Sequence, residues 1–305
     1  MCDLKTKFKR WQEWLTGDDI NSIKNQIHNM IWDSAVFQSI NECRRYAPTN
    51  EKGEVELNGV VHQFINKCFF ETQAIAIRRL LDKRLDVISL RRLVDDIEKD
   101  SHLLTRENIL DALGYPYEYE QEKRRISDET FKKGPGPHWM GQDYRRCVTS
   151  EYTHSFIDLL AGVESSKRSC NDVVRPQIFE WLKQCLRNCE DIGEFVNKYI
   201  AHSATPESRN YRNPPELDIT LEQILEAHEI ICKTAMFVGL RILGDGVGDV
   251  LAIPQYDQFV HFDKAWASEE TVKKLYEFWG KYDRQTRDWH HWDWEGDFNK
   301  SLSKP

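Results

Sequence analysis

The sequence contains no apolar run that approaches the ~18 residues needed to cross a bilayer. A basic and then apolar stretch, as in a secretory signal, does not follow Met1. None of the eight cysteines belongs to a C-x-x-C pair, the spacing of many zinc and redox sites. We therefore expect a cytoplasmic protein with reduced thiols and no membrane segment.

Positive charge is also in short supply. The chain of 305 residues carries 42 Lys and Arg against 50 Asp and Glu, a formal net charge of −8. This balance argues against a broad basic surface that binds nucleic acid without preference. A small local site for an anion remains open, because net charge does not say where the charges lie.

Strand signals are scarce, since only Val250 to Ile253 suggests a short extended segment. Apolar residues instead recur at steps of three and four residues, which indicates amphipathic helices. The predicted helices cover about 18–45, 57–83, 89–99, 105–113, 149–167, 173–202, 220–244 and 268–288. We predict an all-α fold, an antiparallel helical bundle with additional N- and C-terminal helices. Residues 1–50 are expected to pack as N-terminal helices on a bundle domain of residues 51–305, with one single domain as the alternative.

Local signals mark several helix ends. Ser89 is a preferred N-cap residue, and Thr220 with Gln223 matches the capping-box pattern. Gly114 is expected to end the short helix that precedes it. Pro176 falls in the first turn of the longest helix, where a missing N–H is tolerated.

Residues 115–147 combine charge runs with helix breakers, among them Pro116 and the segment Gly134-Pro135-Gly136-Pro137. Little helical periodicity is visible there. We therefore predict a long surface loop near 115–147. Loops of this length are usually functional or mobile, and mobility is the commoner interpretation.

The longest predicted helix ends in Asn197-Lys198-Tyr199-Ile200-Ala201-His202. Glu194, Lys198 and His202 lie four residues apart, so they share one polar stripe. A histidine at this position can act as a general acid or base near neutral pH. Lys198 and Asn197 can hold a phosphate through charge and hydrogen bonding. His202, Asn197 and Lys198 are therefore the candidate catalytic residues of a nucleic-acid-directed site.

The same residues also have an ordinary structural interpretation. A histidine in the last turn of a helix often only caps carbonyl groups and interacts with the helix dipole. Glu194 with Lys198 is a common ion pair at i,i+4 spacing. Judged by spacing alone, this structural interpretation is favoured.

Four arginines are candidates for contact with nucleic acid: Arg78, Arg79, Arg209 and Arg212. The last two follow the longest helix in a proline-containing loop and can fold back on its end. The first two lie on an earlier helix, where Arg79 and Asp82 at i,i+3 spacing are alternatively an ion pair at the edge of the bundle.

The segment "NKYIAHS" at the end of a long helix, followed by a helix with "TLEQILEA", resembles the HEPN superfamily. The upstream segments "IAIRRLLDK" and "ISLRRLVDDI" resemble the branch found in bacterial abortive-infection proteins of the AbiU type. The resemblance covers roughly residues 55–290. It implies an all-α bundle, and many HEPN domains are endoribonucleases that act as dimers without a metal ion or other cofactor.

The HEPN motif is an arginine, often followed by a polar residue, and then a histidine four to six residues later. His202 matches the histidine and Asn197 matches the polar residue. Val196 stands where the arginine is expected, so the guanidinium that positions the phosphate is missing from its usual place. Lys198, or an arginine of the earlier helix, would have to supply the charge.

Two functions follow from this resemblance. One is a metal-independent endoribonuclease of a bacterial defence or toxin-type system, which acts on RNA. The other is a non-catalytic scaffold, a sensor, subunit or interaction partner, which Val196 favours. RNA or a nucleotide, a second copy of the chain, or a partner protein of a defence system are the expected partners.

A tryptophan-rich tail closes the chain with Trp289, Trp292 and Trp294. These rings are able to stack on bases, and His290 with His291 is able to bind a metal. Acidic residues surround them and would repel a phosphate backbone. Packing against the protein or a partner surface is therefore the favoured interpretation.

Cys185 and Cys189 lie four residues apart on the longest helix, with Cys170 or His154 as additional zinc ligands in one interpretation. Both cysteines also fit the apolar stripe, so core packing is favoured. His228 falls in the apolar stripe of its own helix, and we interpret it as a core histidine with satisfied hydrogen bonds.

Overall fold

The computed structural model describes residues 4–132, 139, 141–200, 205, 207, 219–251, 253–264 and 267–288. The helices within these residues are α1 (Leu4–Thr16), α2 (Ile23–Arg45), α3 (Gly59–Leu80), α4 (Leu90–Lys99), α5 (Arg106–Leu113), α6 (Tyr119–Phe131), α7 (Gln142–Ala161), α8 (Pro176–Arg187), α9 (Glu190–Phe195), α10 (Leu221–Phe237) and α11 (Glu269–Asp288). Two further turns are π-helical, π1 (Val196–Ile200) and π2 (Val238–Leu243). This part of the chain forms no strand, only two isolated β-bridges. The predicted all-α class is therefore confirmed.

Helix ends that depend on local chemistry lie where the sequence predicts them. The hydroxyl of Ser89 accepts a hydrogen bond from the Arg92 N–H at 3.0 Å and caps α4. Thr220 and Gln223 form the reciprocal capping box of α10. Gly114 ends α5 with a φ of +70°, a conformation that a residue without a side chain adopts at little cost.

The N-terminal region contains two helices where one was predicted over 18–45. α1 buries one stripe of side chains, Leu4, Phe8, Trp11 and Leu15. It ends at Gly17, where a Cβ would lie 2.4 Å from the carbonyl oxygen of Glu13. The Ser22 hydroxyl then accepts from the Asn25 N–H, so α2 begins at Ile23 rather than near residue 18.

The predicted long loop over 115–147 is largely helical, which corrects that interpretation. α6 occupies its first half, and α7 begins at Gln142. Only Tyr119 and Thr130 of α6 are buried, so the segment lacks an apolar stripe that would reveal it. Charged pairs decorate its surface instead, for example Arg125 with Glu122 at 2.6 Å. Residues 133–138 and 140 lie outside the described residues.

The predicted single helix over 173–202 is divided into α8, α9 and π1. The Asn188 N–H bonds to the Cys185 carbonyl and the Cys189 N–H to that of Leu186, the i,i+3 pattern that tightens a helix end. Before α8, Val173 forms an extended bridge with Thr105 instead of joining the helix. The apolar stripe keeps helical register over the whole segment, so it gave no sign of the break between α8 and α9.

The chain divides into two compact units, Met1–Ala252 and Ile253–Pro305. In the first unit α3 packs against α2, α9 and α10, while α1 packs against α2, α4 and α5. These contacts enclose one apolar core in which Trp11, Ile77 and Phe179 are fully buried.

The second unit contains α11, the helix predicted at 268–288. None of its described residues is buried. Across both units, none of the described helices has the length and apolar character required to cross a membrane.

Candidate nucleic-acid interface

The segment that the sequence singles out lies in π1. Val196 is 1 % exposed and belongs to the apolar core. Asn197, the next residue, is exposed. The wide π-helical turn therefore buries the valine and presents the amide to the surface, and such turns are frequent at functional sites.

The start of α9 is held in place by charge. A carboxylate oxygen of Glu190 lies 2.9 Å from the Lys83 ammonium, just after α3, and 3.9 Å from the Arg91 guanidinium on α4. An acidic residue in the first turn of a helix is also favoured by the helix dipole. These exposed contacts connect the start of α9 to the end of α3 and to α4.

Arg78 is the cation that reaches the motif. It lies in the last turn of α3, which packs against α9 and π1. Its Nε donates a hydrogen bond to Oδ1 of Asn197 at 2.6 Å. The two terminal guanidinium nitrogens, Nη1 and Nη2, have no hydrogen bond or ion pair with a residue that the structure describes. The hydrogen bond thus orients the guanidinium and leaves its outer edge available.

The other two predicted cations nearby differ from Arg78. Lys198 lies 3.2 Å from Glu194, as its i,i+4 spacing indicates. Arg79 is exposed and pairs with none of the described residues, so the predicted ion pair with Asp82 is absent from this part of the chain. Asp82 instead pairs with Arg84 at 3.1 Å.

A surface cavity of about 500 Å³ adjoins Arg78. Its charged lining consists of three arginines and three aspartates: Arg78, Arg79, Arg84, Asp19, Asp82 and Asp86. The charges therefore balance, and one of the three arginines, Arg84, already pairs with Asp82. The lining of this cavity is therefore not a broad basic surface.

Several predicted residues lie outside the described part of the chain. They are His202, Arg209, Arg212, Trp289, His290, His291, Trp292 and Trp294. Nothing in the geometry tests their proposed roles.

Sequence reasoning missed a buried charged cluster around Arg106, whose side chain is fully buried. Its guanidinium donates to Asp172 from Nε at 2.9 Å and from Nη2 at 2.7 Å, and Nη2 also donates to Asp158 at 2.7 Å. Arg168 forms a further ion pair with Asp158 at 2.7 Å. The partners of Arg106 lie 48 to 66 residues away in sequence, so no local pattern announces them.

His154 completes this Arg106 cluster. Its Nδ1 accepts from Nη1 of Arg106 at 3.1 Å, and its Nε2 donates to the Tyr117 carbonyl at 3.1 Å. These partners assign a neutral ring with the proton on Nε2. Burial and then the charge of Arg106 lower the pKa of His154 to about 4. Because each charged group is paired, the cluster is a structural joint between α5, α7 and the loop before α8.

The two cysteines of the longest predicted helix differ in burial, since Cys185 is only partly buried. Cys189 is buried, and burial raises the pKa of its thiol to about 12. Both ring nitrogens of His154 are engaged by the Arg106 cluster and the Tyr117 carbonyl. In the described ranges no group of three or more His, Cys, Asp or Glu side chains is arranged to hold a metal ion.

His228 is buried as predicted, but the expectation that its hydrogen bonds are satisfied is wrong. Neither ring nitrogen has a partner among the described residues. Burial lowers the pKa of His228 to about 4, so the ring is neutral at physiological pH. The buried amide of Gln73 on α3 likewise has no partner for its nitrogen or its oxygen.

Of the predicted site residues, the structure brings Arg78 to Asn197, with Lys198 one residue further along π1. The chain matches no protein-family model, and no curated protein or solved structure matches it.

Proposed function

We propose that the chain acts on RNA as a metal-independent endoribonuclease of a bacterial defence or toxin-type system. In this proposal His202 is the general acid or base, and Arg78 replaces the arginine that Val196 displaces. The observation that carries the proposal is the 2.6 Å hydrogen bond from Arg78 Nε to Asn197 Oδ1.

A guanidinium anchored through Nε suits this role. Nη1 and Nη2 remain as two parallel donors, the arrangement that binds phosphate oxygens in a bidentate manner. In this arrangement the main role of Asn197 is not to bind the phosphate. It accepts the hydrogen bond from Arg78 and so holds the guanidinium in position. Its own NH₂ group has no partner among the described residues and is free to donate to RNA.

The charge around the site favours a short RNA segment. Three aspartates line the adjoining cavity, and Glu194 pairs with Lys198, so only a few phosphates meet uncompensated cations. Exposed charges act over about 8 Å at physiological salt. A loop or single-stranded stretch of RNA fits this pattern better than a long duplex.

A non-catalytic scaffold is the second candidate. It is favoured by one observation, the burial of Val196 at the position where the HEPN motif carries its arginine. In this case the same edge of Arg78 and Arg79 binds RNA, a nucleotide or an acidic segment of a partner protein without bond cleavage.

Cleavage of structured and single-stranded RNA in the presence of EDTA tests the proposal. Arg78→Ala and His202→Ala should each lower the rate by at least about 100-fold, and Arg78→Lys should restore only a part of it. Arg124→Ala is the matched control, because Arg124 is an exposed arginine on α6 whose side chain is 82 % accessible. It should cleave like the wild type.

The two candidate functions separate clearly. If no RNA is cut but RNA binding is lost in Arg78→Ala and kept in Arg124→Ala, the scaffold replaces the nuclease. If Arg78→Ala cleaves and binds like the wild type, Arg78 has no role and both proposals fail at this site.

A further inference from the structure

A second cleft, between α2 and α3, combines apolar walls with unpaired polar groups. Its volume is about 340 Å³, within the range of small-molecule sites. Trp32, Phe37 and Phe69 contribute aromatic surface and Asp33 contributes a carboxyl group, while Gln73 belongs to the lining with its amide atoms buried. None of its lining residues belongs to the Arg78 site.

Gln73 is the unusual member of this lining. Its side chain is completely buried, yet its Nε2 and Oε1 both lack a hydrogen-bond partner in the described structure. Buried polar atoms of side chains are nearly always paired in folded proteins. A primary amide presents one donor and one acceptor side by side, so its natural complement is another amide or a ring with the same pair.

The walls favour a flat molecule. Phe37 and Phe69 stack with their planes at 4°, and Phe70 meets Phe69 edge-on at 77°. Planar rings pack on aromatic side chains in offset or edge-to-face geometry and gain more than their buried area. Trp32 is partly exposed, so part of the aromatic lining is open to a ligand.

Asp33 adds an acceptor without a partner. The described residues provide it with no hydrogen bond or ion pair, and partial burial raises the pKa of its carboxyl group. This carboxylate is able to accept a hydrogen bond from an N–H group of a ligand. The exposed carboxylate also disfavours an anionic ligand.

We propose that this α2–α3 cleft binds a small, neutral, planar molecule that carries a carboxamide or a ring lactam. Nicotinamide and the oxo-nucleobases are examples of that chemical class. The amide of Gln73 pairs with the amide of the ligand, and the aromatic lining covers its ring. The Gln73 amide is covered in this structure, so binding requires a lining side chain to turn.

The experiment uses the full chain labelled with 5-fluorotryptophan and titrated with nicotinamide, uracil and toluene. The Trp32 signal, identified by its loss in Trp32→Phe, reports occupancy of the cleft by ¹⁹F NMR. We expect nicotinamide or uracil to shift this signal, and Gln73→Leu to weaken that binding at least about tenfold. Toluene should bind Gln73→Leu no more weakly than the wild type.

The matched control is Gln63→Leu, since Gln63 lies on the same helix, is exposed and does not line the cleft. It should bind all three probes like the wild type. Gln73→Leu removes unpaired polar atoms, so it should fold, and its thermal unfolding checks this.

Two results would overturn the inference. One is that neither nicotinamide nor uracil shifts the Trp32 signal. The other is equal affinity of the amide probes for the wild type and Gln73→Leu, in which case Gln73 pairs only with an internal water. Neither result depends on RNA cleavage, so this proposal stands or falls independently of the Arg78 site.

Discussion

Arg106 and Arg78 show how differently one side chain type is used within the same unit. Arg106 is fully buried and donates to Asp158, Asp172 and His154. Arg78 is half-buried and bonds to Asn197 alone among the described residues. A guanidinium has five N–H donors, so the number already engaged decides what it can still bind.

This difference determines which of the two arginines is able to bind a ligand. Arg106 has no donor geometry left for a ligand, and its charge is compensated by two carboxylates. Arg78 is oriented by one bond and keeps its outer edge. A search for function by the presence of charged clusters alone would select Arg106, whereas a search by unpaired donors selects Arg78.

The largest effect should come from Arg106→Met. Removal of one partner from a buried charged network typically lowers the free energy of unfolding by about 3–5 kcal/mol. In this variant the Asp172 carboxylate would lose the Arg106 guanidinium, and the Ser169 N–H would be its one remaining hydrogen-bond donor among the described residues. Urea unfolding measures the change, with the exposed, doubly paired Arg125→Met as the control that should change little. Equal effects in both variants would refute the structural role of the cluster.

The second largest effect concerns two buried histidines that differ in the same way as the two arginines. The ring of His154 has two hydrogen-bond partners, whereas that of His228 has none among the described residues. Burial lowers the pKa of both to about 4, from 6.5 in the unfolded chain. Between pH 6.5 and 4 the unfolded chain therefore binds more protons, so stability present above pH 6.5 is lost as the pH falls. Each histidine contributes a slope of up to roughly 1.4 kcal/mol per pH unit.

His228→Leu separates the two contributions. It should reduce the slope of unfolding free energy between pH 6.5 and 5 by up to roughly 1.4 kcal/mol per pH unit, and raise stability at pH 5 more than at pH 7. Urea unfolding at a series of pH values measures this. A slope identical to the wild type would show that His228 does not titrate as its burial implies.

Arg78→Ala should have a smaller effect on stability than Arg106→Met. One hydrogen bond at the protein surface contributes about 1 kcal/mol, so the free energy of unfolding should fall by no more than that. A double-mutant cycle with Asn197→Ala isolates the bond. A coupling near zero would mean that the two side chains do not hold each other in solution.

The smallest effect should come from Glu194→Gln. The pair of Glu194 with Lys198 is an exposed i,i+4 contact worth a few tenths of a kcal/mol, and salt weakens it further. The variant should therefore unfold like the wild type. It also frees Lys198, so RNA should bind more tightly at low salt. Weaker binding would exclude Lys198 from the site.

Features set by neighbouring residues were predictable from the sequence. The caps at Ser89 and Thr220 and the stop at Gly114 depend on bonds within four residues, and the structure forms all of them. α6 was not predicted because its exposed, charged residues show no apolar periodicity. The break between α8 and α9 was not predicted because the apolar stripe stays in helical register across it.

Features set by distant residues were not predictable in the same way. The sequence suggested that Arg78 or Arg79 stands near the end of the longest predicted helix, and only packing selects Arg78, 119 residues from Asn197. The Arg106 cluster and the unpaired Gln73 carry no local signal at all. Both arise where helices far apart in sequence meet.

The π-helical turn at Val196 also constrains the mutations open to this chain. Val196→Arg would place a guanidinium at a position that is 1 % exposed, among apolar side chains. Replacement of Asn197 would release Arg78. The two adjacent positions are therefore constrained in different ways: the apolar core determines which side chain fits at residue 196, and the bond to Arg78 on α3 depends on residue 197.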